Sequence, residues 1–233
     1  MHNSFRFKQF IIDQEINTQK VGTDSMLLGA WSNGDFQNIL DIGTGTGILA
    51  LMIAQQNPTA TIIALEPDES SLNEAISNFR NSKFSQQING IKTSLQNFDT
   101  QEKFNLIICN PPYFENSSLS DNKNKNRARH TNDLPISILY KKAKDLISEG
   151  GNLNLIFPYD IEKIHFDEAF KNGFYPNKIL RTKREDGEFK RTLISYSTSK
   201  VNCVEEEMIV KFSDNTYSKE YVEMTREFYG KTL

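Results

Sequence analysis

Between Asn38 and Pro158, short apolar runs alternate with longer segments in which apolar residues recur every three or four positions. The short runs are typical of buried strands and the longer segments of amphipathic helices. The predicted strands are NILDIG, TIIALE, NGIKTSL, FNLIICN and GNLNLIFP, and the predicted helices are TGILALMIAQQ, DESSLNEAISNFRNS and DLPISILYKKAKDLI, the last capped by Asp133. Alternating strands and helices indicate an α/β fold with a mostly parallel sheet covered by helices on both faces.

The two ends of the chain show a different pattern. FYPNKILRTKR and FKRTLISYST predict an antiparallel strand pair joined by EDGE, after a helix DIEKIHFDEAFKNG that stops at Gly173. FRFKQFIIDQEINTQKV predicts a small N-terminal β-hairpin, and TDSMLLGAW a short helix that begins at Thr23 or Asp24. We expect one domain over 1–233, with the hairpin and short helix in 1–32, a core in 33–200 and a C-terminal strand and helix in 201–233.

The composition excludes several classes of protein. Hydrophobic residues make up 37% and charged residues 24% of the chain, which is typical of a soluble globular protein. Since no run approaches the roughly 18 apolar residues of a membrane span, we expect a cytoplasmic protein that makes no membrane contact. The two cysteines and three scattered histidines predict no metal site. Cys109 lies within an apolar run, so we interpret it as strand packing.

The segment LDIGTGTG joins the first core strand to its helix. Gly43, Gly45 and Gly47 allow the backbone to turn sharply and to approach a ligand closely. The dinucleotide-binding pattern requires a glycine where this chain has Ile48, so the spacing favours a ligand without a pyrophosphate. Asp41 adds a negative charge that suits a cationic ligand such as S-adenosylmethionine.

Glu66 ends the second core strand. In an open parallel sheet its carboxylate faces the same crevice as the glycine turn, where it can bind the two hydroxyls of a ribose. Thr44 and Pro67 are predicted to contact the cofactor beside it. The structural alternative is a tight turn with a surface acid.

The segment LIICNPPYFE ends a predicted strand in a polar, stiffened turn. The lone pair of an aromatic amine is delocalised, and acceptors on its N–H groups make the nitrogen more nucleophilic. The Asn110 side-chain carbonyl and the Pro111 backbone carbonyl can supply both acceptors, and Pro112 stiffens the turn. Tyr113 can stack on a flipped base, with Phe114 beside it. The alternative is an Asn that bonds only its own turn.

These motifs resemble a known family. The glycine turn, Glu66 and NPPY resemble class I S-adenosylmethionine-dependent methyltransferases that methylate amino groups. KVGTDSMLLGAW, DIGTGTG, NPPYF and RARHT, in this order, resemble the bacterial tRNA1(Val) (adenine-N6)-methyltransferase family over roughly Phe5 to Tyr196. The resemblance implies a Rossmann-like methyltransferase fold, S-adenosyl-L-methionine as cofactor, and tRNA as partner. It also implies methylation of the adenine beside the valine anticodon, and we expect a monomer.

The resemblance also assigns cofactor contacts. It implies that the GTDS segment, with Thr23 and Asp24, closes over the cofactor, whereas a helix cap is the alternative. Family members carry an acidic residue after the third strand, where this chain has Ser94. Either Ser94 and the Leu95 backbone, or Asn97, then hold the adenine of the cofactor.

Basic residues lie in two clusters. One follows the NPPY turn and contains Lys123, Lys125, Arg127, Arg129 and His130, and the other flanks the C-terminal strand pair and contains Arg181, Lys183, Arg184, Lys190 and Arg191. A local basic surface can bind RNA on a protein whose net charge is −3. The predicted RNA contacts are Arg127, Arg129, His130, Arg184 and Arg191. The acidic run 205–207 is expected to face away from them.

Three other functions fit parts of the pattern. A protein glutamine N5-methyltransferase also uses NPPY, although such enzymes carry a helical N-terminal domain for which this chain is too short. An rRNA guanine-N2 methyltransferase is the second alternative. The third is a non-catalytic, RNA-binding subunit with the same fold, against which Asp41, Glu66 and NPPY together argue.

Overall fold

The computed structural model describes residues 4–15, 21–111 and 134–229. The strands in these ranges are β1 Ser4–Arg6, β2 Ile11–Asp13, β3 Asn38–Ile42, β4 Thr61–Glu66, β5 Ile88–Lys92, β6 Phe104–Cys109, β7 Ile147–Pro158, β8 Tyr175–Lys183, β9 Phe189–Ser197 and β10 Val204–Ile209. The α-helices are α1 Thr23–Trp31, α2 Ile48–Gln56, α3 Glu69–Arg80, α4 Ile136–Leu146, α5 Glu162–Lys171 and α6 Lys219–Thr225. Two short 3₁₀ helices span Leu95–Asn97 and Tyr159–Ile161.

Eight strands form one sheet in the order β10-β8-β9-β7-β6-β3-β4-β5. β3 pairs in parallel with β4 and β6, and β6 pairs in parallel with β7. β9 runs antiparallel to both β7 and β8, which confirms the predicted C-terminal antiparallel pair. β3 is near the middle of the sheet, so the turn that follows it opens at the carboxyl edge between its neighbours β4 and β6.

Successive residues of the central strands pack on opposite faces of the sheet, which gives the core two halves. Ile39 belongs to the cluster on the side of α1, α2 and α3, whereas Leu40 and Ile42 belong to the cluster on the side of α4 and α5. In β6 the same alternation separates Ile108 from Cys109. Burial of both faces explains why these strands read as continuous apolar runs.

The N-terminal hairpin is confirmed, with β1 and β2 paired antiparallel. Asn78 of α3 ties this hairpin to the core. Its side chain accepts a hydrogen bond from the Asp13 backbone N–H and donates to the carbonyls of Asp13 and Thr46, each at 2.9 Å. The Asn78 side chain therefore links the hairpin to the glycine turn after β3.

One predicted helix cap and two predicted element boundaries need correction. Helix α1 begins at Thr23, as predicted, but its N-cap is Gly22 with no side-chain cap, so neither Thr23 nor Asp24 caps it. Strand β7 begins at Ile147, ahead of GNLNLIFP, and its pairing with β6 shifts register between Phe104 and Leu106. Helix α4 follows Pro135, and Asp133, its predicted cap, lies outside the described residues.

Within the described ranges, no helix is long and apolar enough to cross a membrane. The same ranges contain no group of three or more His, Cys, Asp or Glu side chains arranged to hold a metal ion.

Candidate active site

A crevice of about 440 Å³ opens at the carboxyl edge of the sheet. Three segments and two single residues from distant parts of the chain form its walls. The segments are the start of α1, the glycine turn and the first turn of α2, and the single residues follow β6 and lie near the start of β9. The lining residues are Gly22, Thr23, Asp24, Ser25, Gly43, Thr44, Gly45, Thr46, Ile48, Leu49, Asn110 and Arg191. The structure thus brings Thr23, Asp24, Gly43, Gly45 and Asn110 to one crevice.

The three glycines of the turn serve two different purposes. Gly43 and Gly45 have φ values of 71° and 56°, and a Cβ added to either would meet no atom within 4 Å. Their open sides therefore leave room for a ligand against the backbone. Gly47 also has a positive φ, of 85°, but an added Cβ would lie 2.9 Å from Cζ of Phe79. Its role is packing between α2 and α3, and it does not line the crevice in the described part of the chain.

Asp41 lies beneath the glycine turn and is wholly buried. The Thr44 hydroxyl donates to Asp41 Oδ2 at 2.6 Å, which fixes the first residues of the turn. Burial raises the pKa of Asp41 to about 7, although hydrogen bonds from Thr44 and the Ala50 backbone oppose the increase. Asp41 therefore positions the turn from below, and Thr44 is the member of this pair that lines the crevice.

We expect Asp41→Asn to change how stability depends on pH. The folded protein holds this carboxyl at a pKa of about 7, against 3.8 in the unfolded chain, so the folded state keeps a proton that the unfolded state has lost. The wild type should therefore lose stability relative to the variant as pH rises from 4 to 7, by an amount on the order of 4 kcal/mol. Urea denaturation of both proteins at several pH values measures the difference. A difference that stays constant with pH would contradict the assignment.

Glu66 ends β4 as predicted and is 8% exposed. Its two carboxylate oxygens accept hydrogen bonds from the backbone N–H groups of Gly45 and Asp68, each at 3.0 Å. Burial raises the pKa of Glu66, against the lowering effect of these two bonds. The bond to Gly45 places the carboxylate directly behind the glycine turn. Each oxygen has two lone pairs, so a ribose contact stays a prediction that this arrangement permits.

Asn110 follows β6, and its side-chain Nδ2 donates to the Ser25 hydroxyl at 3.3 Å. This bond connects the residue after β6 to the first turn of α1. With the amide nitrogen turned toward Ser25, the amide carbonyl is the group presented as an acceptor. Ser25 also lines the crevice; it belongs to the GTDS segment that is predicted to close over the cofactor, but only Thr23 and Asp24 of that segment are predicted as contacts. Its position directly after Thr23 and Asp24, at the start of the predicted short helix, could have indicated that it lies at the same site.

Arg191, for which an RNA contact is predicted, lines the crevice. Its Nε donates to Asp24 Oδ2 at 2.9 Å, and its Nη1 donates to the Lys190 carbonyl at 3.0 Å. Arg191 pairs with Pro158 in the register of β7 and β9, and Pro158 ends β7. Because β9 runs antiparallel, its beginning lies at the carboxyl edge of the sheet, beside the other site residues.

The basic cluster of the C-terminal strands is largely paired with acidic side chains. Arg181 binds Glu162 at 2.8 Å and Glu205 at 2.6 Å, and these hydrogen bonds raise its pKa. Lys183 binds Glu207 at 2.5 Å. The expectation that the acidic run 205–207 faces away from this cluster is therefore wrong. The run forms β10, which pairs in parallel with β8 and so places its carboxylates beside the cations of that strand.

The basic side chains of the neighbouring turn between β8 and β9 also lie close to acidic side chains. Arg184 lies 3.6 Å from Glu188 and 3.9 Å from Asp186, and Lys190 also bonds Glu188. Arg184 is 62% exposed, so it can still reach a phosphate, as predicted. Its acidic neighbours reduce the net positive charge of the turn.

The structure places the other predicted site residues as follows. Ser94 precedes the 3₁₀ helix after β5 and Leu95 is its first, buried residue. Five predicted cofactor contacts are absent from the described residues that line the crevice, namely Asp41, Glu66, the half-buried Pro67, Ser94 and Leu95. Pro111 directly follows Asn110 and is buried. Six predicted residues lie outside the described residues, namely Pro112, Tyr113, Phe114, Arg127, Arg129 and His130.

Two other groups with reactive side chains are structural. Cys109 is buried in the core, which raises the pKa of its thiol and disfavours a nucleophilic thiolate. His165 stacks on Phe157 with ring centroids 3.7 Å apart, and its Nδ1 lies 3.0 Å from the Tyr140 hydroxyl. Burial lowers the pKa of His165 to about 3, so this ring is neutral.

Residues 19–172 match the family model of the methyltransferase small domain. A tRNA1(Val) (adenine(37)-N6)-methyltransferase of Flavobacterium psychrophilum is 38% identical over 97% of this chain and 99% of its own length. The enzyme of the same name from Christiangramia forsetii is 36% identical over 97% of this chain and 98% of its own length.

Solved structures of methyltransferases share the fold. A predicted O-methyltransferase from Agrobacterium tumefaciens superposes with a TM-score of 0.70 at 17% identity, covering 88% of this chain and 96% of the other. A methyltransferase from Pyrococcus furiosus gives 0.56 at 21% identity, covering 81% and 90%. The fold predicted from the alternating pattern is confirmed. Because the family model covers residues 19–172 and the relatives match over nearly their whole length, the chain belongs to the methyltransferase small domain family and, within it, to the family of tRNA1(Val) (adenine(37)-N6)-methyltransferases.

Proposed function

We propose that this protein transfers a methyl group from S-adenosylmethionine to the exocyclic N6 amine of the adenine at position 37 of tRNA1(Val). The observation that carries the proposal is the position of Asn110. It directly follows β6, the strand beside β3, lines the same crevice as the glycine turn and is hydrogen-bonded through its amide nitrogen to Ser25. The names of relatives 36% to 38% identical over almost the whole chain support the choice of RNA and base.

The described residues fit this cofactor. The open sides of Gly43 and Gly45 admit a ligand against the backbone, and Glu66 stands behind the turn as the acceptor for ribose hydroxyls. Asp24 and Glu66 supply negative charge near a ligand that carries a sulfonium and an ammonium. When bound, S-adenosylmethionine supplies the electrophilic methyl group.

The amino group is activated by two acceptors from the turn after β6. The Asn110 carbonyl oxygen and the Pro111 backbone carbonyl would each accept a hydrogen bond from the adenine N6 amine. These bonds hold the nitrogen so that its lone pair faces the methyl donor, and their dipoles stabilise the positive charge that develops on nitrogen. An amide is suited to this role because it accepts a hydrogen bond without adding a full negative charge. The methylated nitrogen is strongly acidic and loses its proton to water.

The proposed tRNA contact includes one arginine of the described structure. Arg184 is exposed at the β8–β9 turn, and we propose that it meets phosphate together with Arg127, Arg129 and His130. Tyr113 and Phe114 are proposed to stack on the target base. We also propose that the protein is a monomer that acts on tRNA in the cytoplasm.

The test is methylation of defined RNA. We expect the protein to transfer label from radiolabelled S-adenosylmethionine to an unmodified tRNA1(Val) transcript, and digestion should give N6-methyladenosine. A matched transcript with guanine in place of the adenine at position 37 should receive no label, because it lacks the acceptor amine.

Other results would point to other functions. Label recovered as N2-methylguanosine from ribosomal RNA would favour a guanine-N2 methyltransferase, and label on a glutamine side chain of a protein would favour an N5-methyltransferase. Tight tRNA binding without any transfer of label would indicate a non-catalytic subunit. Each of these results would overturn the proposal.

A further inference from the structure

Asp24 and Arg191 are the two charged side chains among the described residues that line the crevice. They form an ion pair with Nε and Oδ2 2.9 Å apart, and they are 23% and 33% exposed. The pair joins the first turn of α1 to the start of β9, two segments far apart in the sequence. It thus places one positive and one negative charge side by side in the wall of the site.

A contribution to folding gives a weak reason for this pair. Partly exposed ion pairs stabilise a folded protein by roughly 0 to 1 kcal/mol. The ion pair of Arg184 and Glu188 in the β8–β9 turn is more than half exposed, whereas Asp24 and Arg191 are one third exposed or less and face the crevice. A pair of opposite charges in a cavity wall is complementary to a ligand that carries both charges itself.

The amino acid end of S-adenosylmethionine is such a zwitterion, with an α-ammonium and an α-carboxylate on one carbon. A guanidinium has five N–H donors in a planar fork and can bind a carboxylate through two of them. The Asp24 carboxylate can accept from an ammonium. The start of α1 lies in the same wall, and the positive end of that helix also favours a carboxylate.

Position along the sheet agrees with this assignment. Glu66 ends β4, on one side of β3, and Arg191 is the third residue of β9, which lies beyond β6 and β7 on the other side. The proposed ribose contact and the ion pair therefore flank the glycine turn from opposite sides. Asn110, after β6, lies between them in strand order.

A phosphate contact for Arg191 fits the same geometry less well. Its guanidinium is paired with the Asp24 carboxylate, and a phosphate on Arg191 would bring no cation to offset the repulsion from Asp24, whereas a zwitterion brings its own ammonium. We therefore propose that Arg191 and Asp24 recognise the zwitterionic amino acid end of the cofactor, with Arg191 on the carboxylate and Asp24 on the ammonium. The proposal rests on the proposed function only in taking S-adenosylmethionine as the ligand of this crevice.

The test compares two nucleosides by calorimetry. S-adenosylhomocysteine keeps the amino acid end, whereas 5′-methylthioadenosine lacks it. Arg191→Ala should weaken binding of S-adenosylhomocysteine by about tenfold or more and leave the affinity for 5′-methylthioadenosine within about twofold. Asp24→Asn should show the same selective loss. Arg226→Ala is the matched control, since Arg226 also pairs with acids, Glu223 and Glu227, but lies away from the crevice, and it should change neither affinity.

Each other outcome has a distinct meaning. Equal weakening of both nucleosides in Arg191→Ala would show that the pair only holds α1 in place, and it would overturn the inference. A second result would also overturn the inference. If Arg191→Ala leaves binding of S-adenosylhomocysteine unchanged but reduces the slope of log tRNA affinity against log salt concentration by about 0.7 to 0.9, then Arg191 contacts the RNA. If the wild type binds neither nucleoside, the proposed function fails as well, which distinguishes the two failures.

Discussion

Asn110→Ala should lower turnover by a factor of about a hundred or more while the affinity for S-adenosylhomocysteine stays almost unchanged. The variant removes the side-chain carbonyl that accepts a hydrogen bond from the amine, and this bond matters most as positive charge develops on nitrogen. Single-turnover methylation of the tRNA1(Val) transcript measures the first quantity, and calorimetry measures the second.

The size of this effect follows from how the amide is held. The Ser25 hydroxyl accepts from Asn110 Nδ2, so the carbonyl is oriented before the substrate arrives. A dipole that is already oriented does not need to reorient during the reaction, so all of its interaction energy can stabilise the transition state. A factor of about a hundred corresponds to about 2.7 kcal/mol, which is the range found for one preorganised hydrogen bond in other active sites.

Asn110→Asp is the matched control because it keeps the shape and the acceptor oxygens. A carboxylate cannot donate to Ser25, although the Ser25 hydroxyl can donate to it, and it adds a negative charge beside the cofactor. We expect its turnover to lie between those of the wild type and Asn110→Ala. Turnover that stays high in Asn110→Ala would remove the amide from the mechanism. A parallel loss of cofactor affinity would show that Asn110 serves binding instead.

The central sheet could be predicted because local and tertiary preferences agree there. TIIALE became β4 with the predicted bounds, and Glu66 ends that strand. Strands buried on both faces need continuous apolar runs, and these runs are visible without any knowledge of the fold. The positions of the glycine turn, Glu66 and Asn110 at one edge then follow from parallel pairing alone.

The contacts between distant segments could not be predicted in this way. Arg191 and Asp24 are 167 positions apart, and Asn110 and Ser25 are 85 apart. Spacing along the chain carries no signal for such pairs, so Arg191 was assigned by its basic neighbours alone. The same limit explains the error over 205–207, since only the pairing of β10 with β8 reveals that these carboxylates meet Arg181 and Lys183.

The different roles of the three glycines in the turn could not be predicted from the sequence either. The sequence assigned one purpose to Gly43, Gly45 and Gly47, because all three can adopt a positive φ. The structure separates them by what surrounds each Cα, which is open space at the first two and the Phe79 ring at the third. This distinction depends on the packing of α3 against the turn, and it leads to a stability prediction for Gly47.

Gly47→Ala should destabilise the folded protein by about 2 to 5 kcal/mol. A left-handed φ of 85° costs an alanine roughly 1 to 2 kcal/mol, and forcing a methyl group into a packed core costs about 1 to 3 more. The added Cβ would lie 2.9 Å from Cζ of Phe79 and closer still to Cε1, and Phe79 is only 3% exposed, so the ring has little room to move. Urea denaturation without cofactor measures the loss.

Gly187→Ala isolates the part of this effect that comes from the clash. Gly187 has a φ of 88°, almost equal to that of Gly47, but an added Cβ there meets no atom within 4 Å. Its cost should therefore be the backbone strain alone, roughly 1 to 2 kcal/mol. In Gly47→Ala combined with Phe79→Leu, the two changes should destabilise less than the sum of the single variants, because the smaller side chain admits the methyl group. Equal losses in Gly47→Ala and Gly187→Ala would show that Phe79 does not constrain the turn, and Gly47 would then return to the cofactor contacts predicted from its spacing.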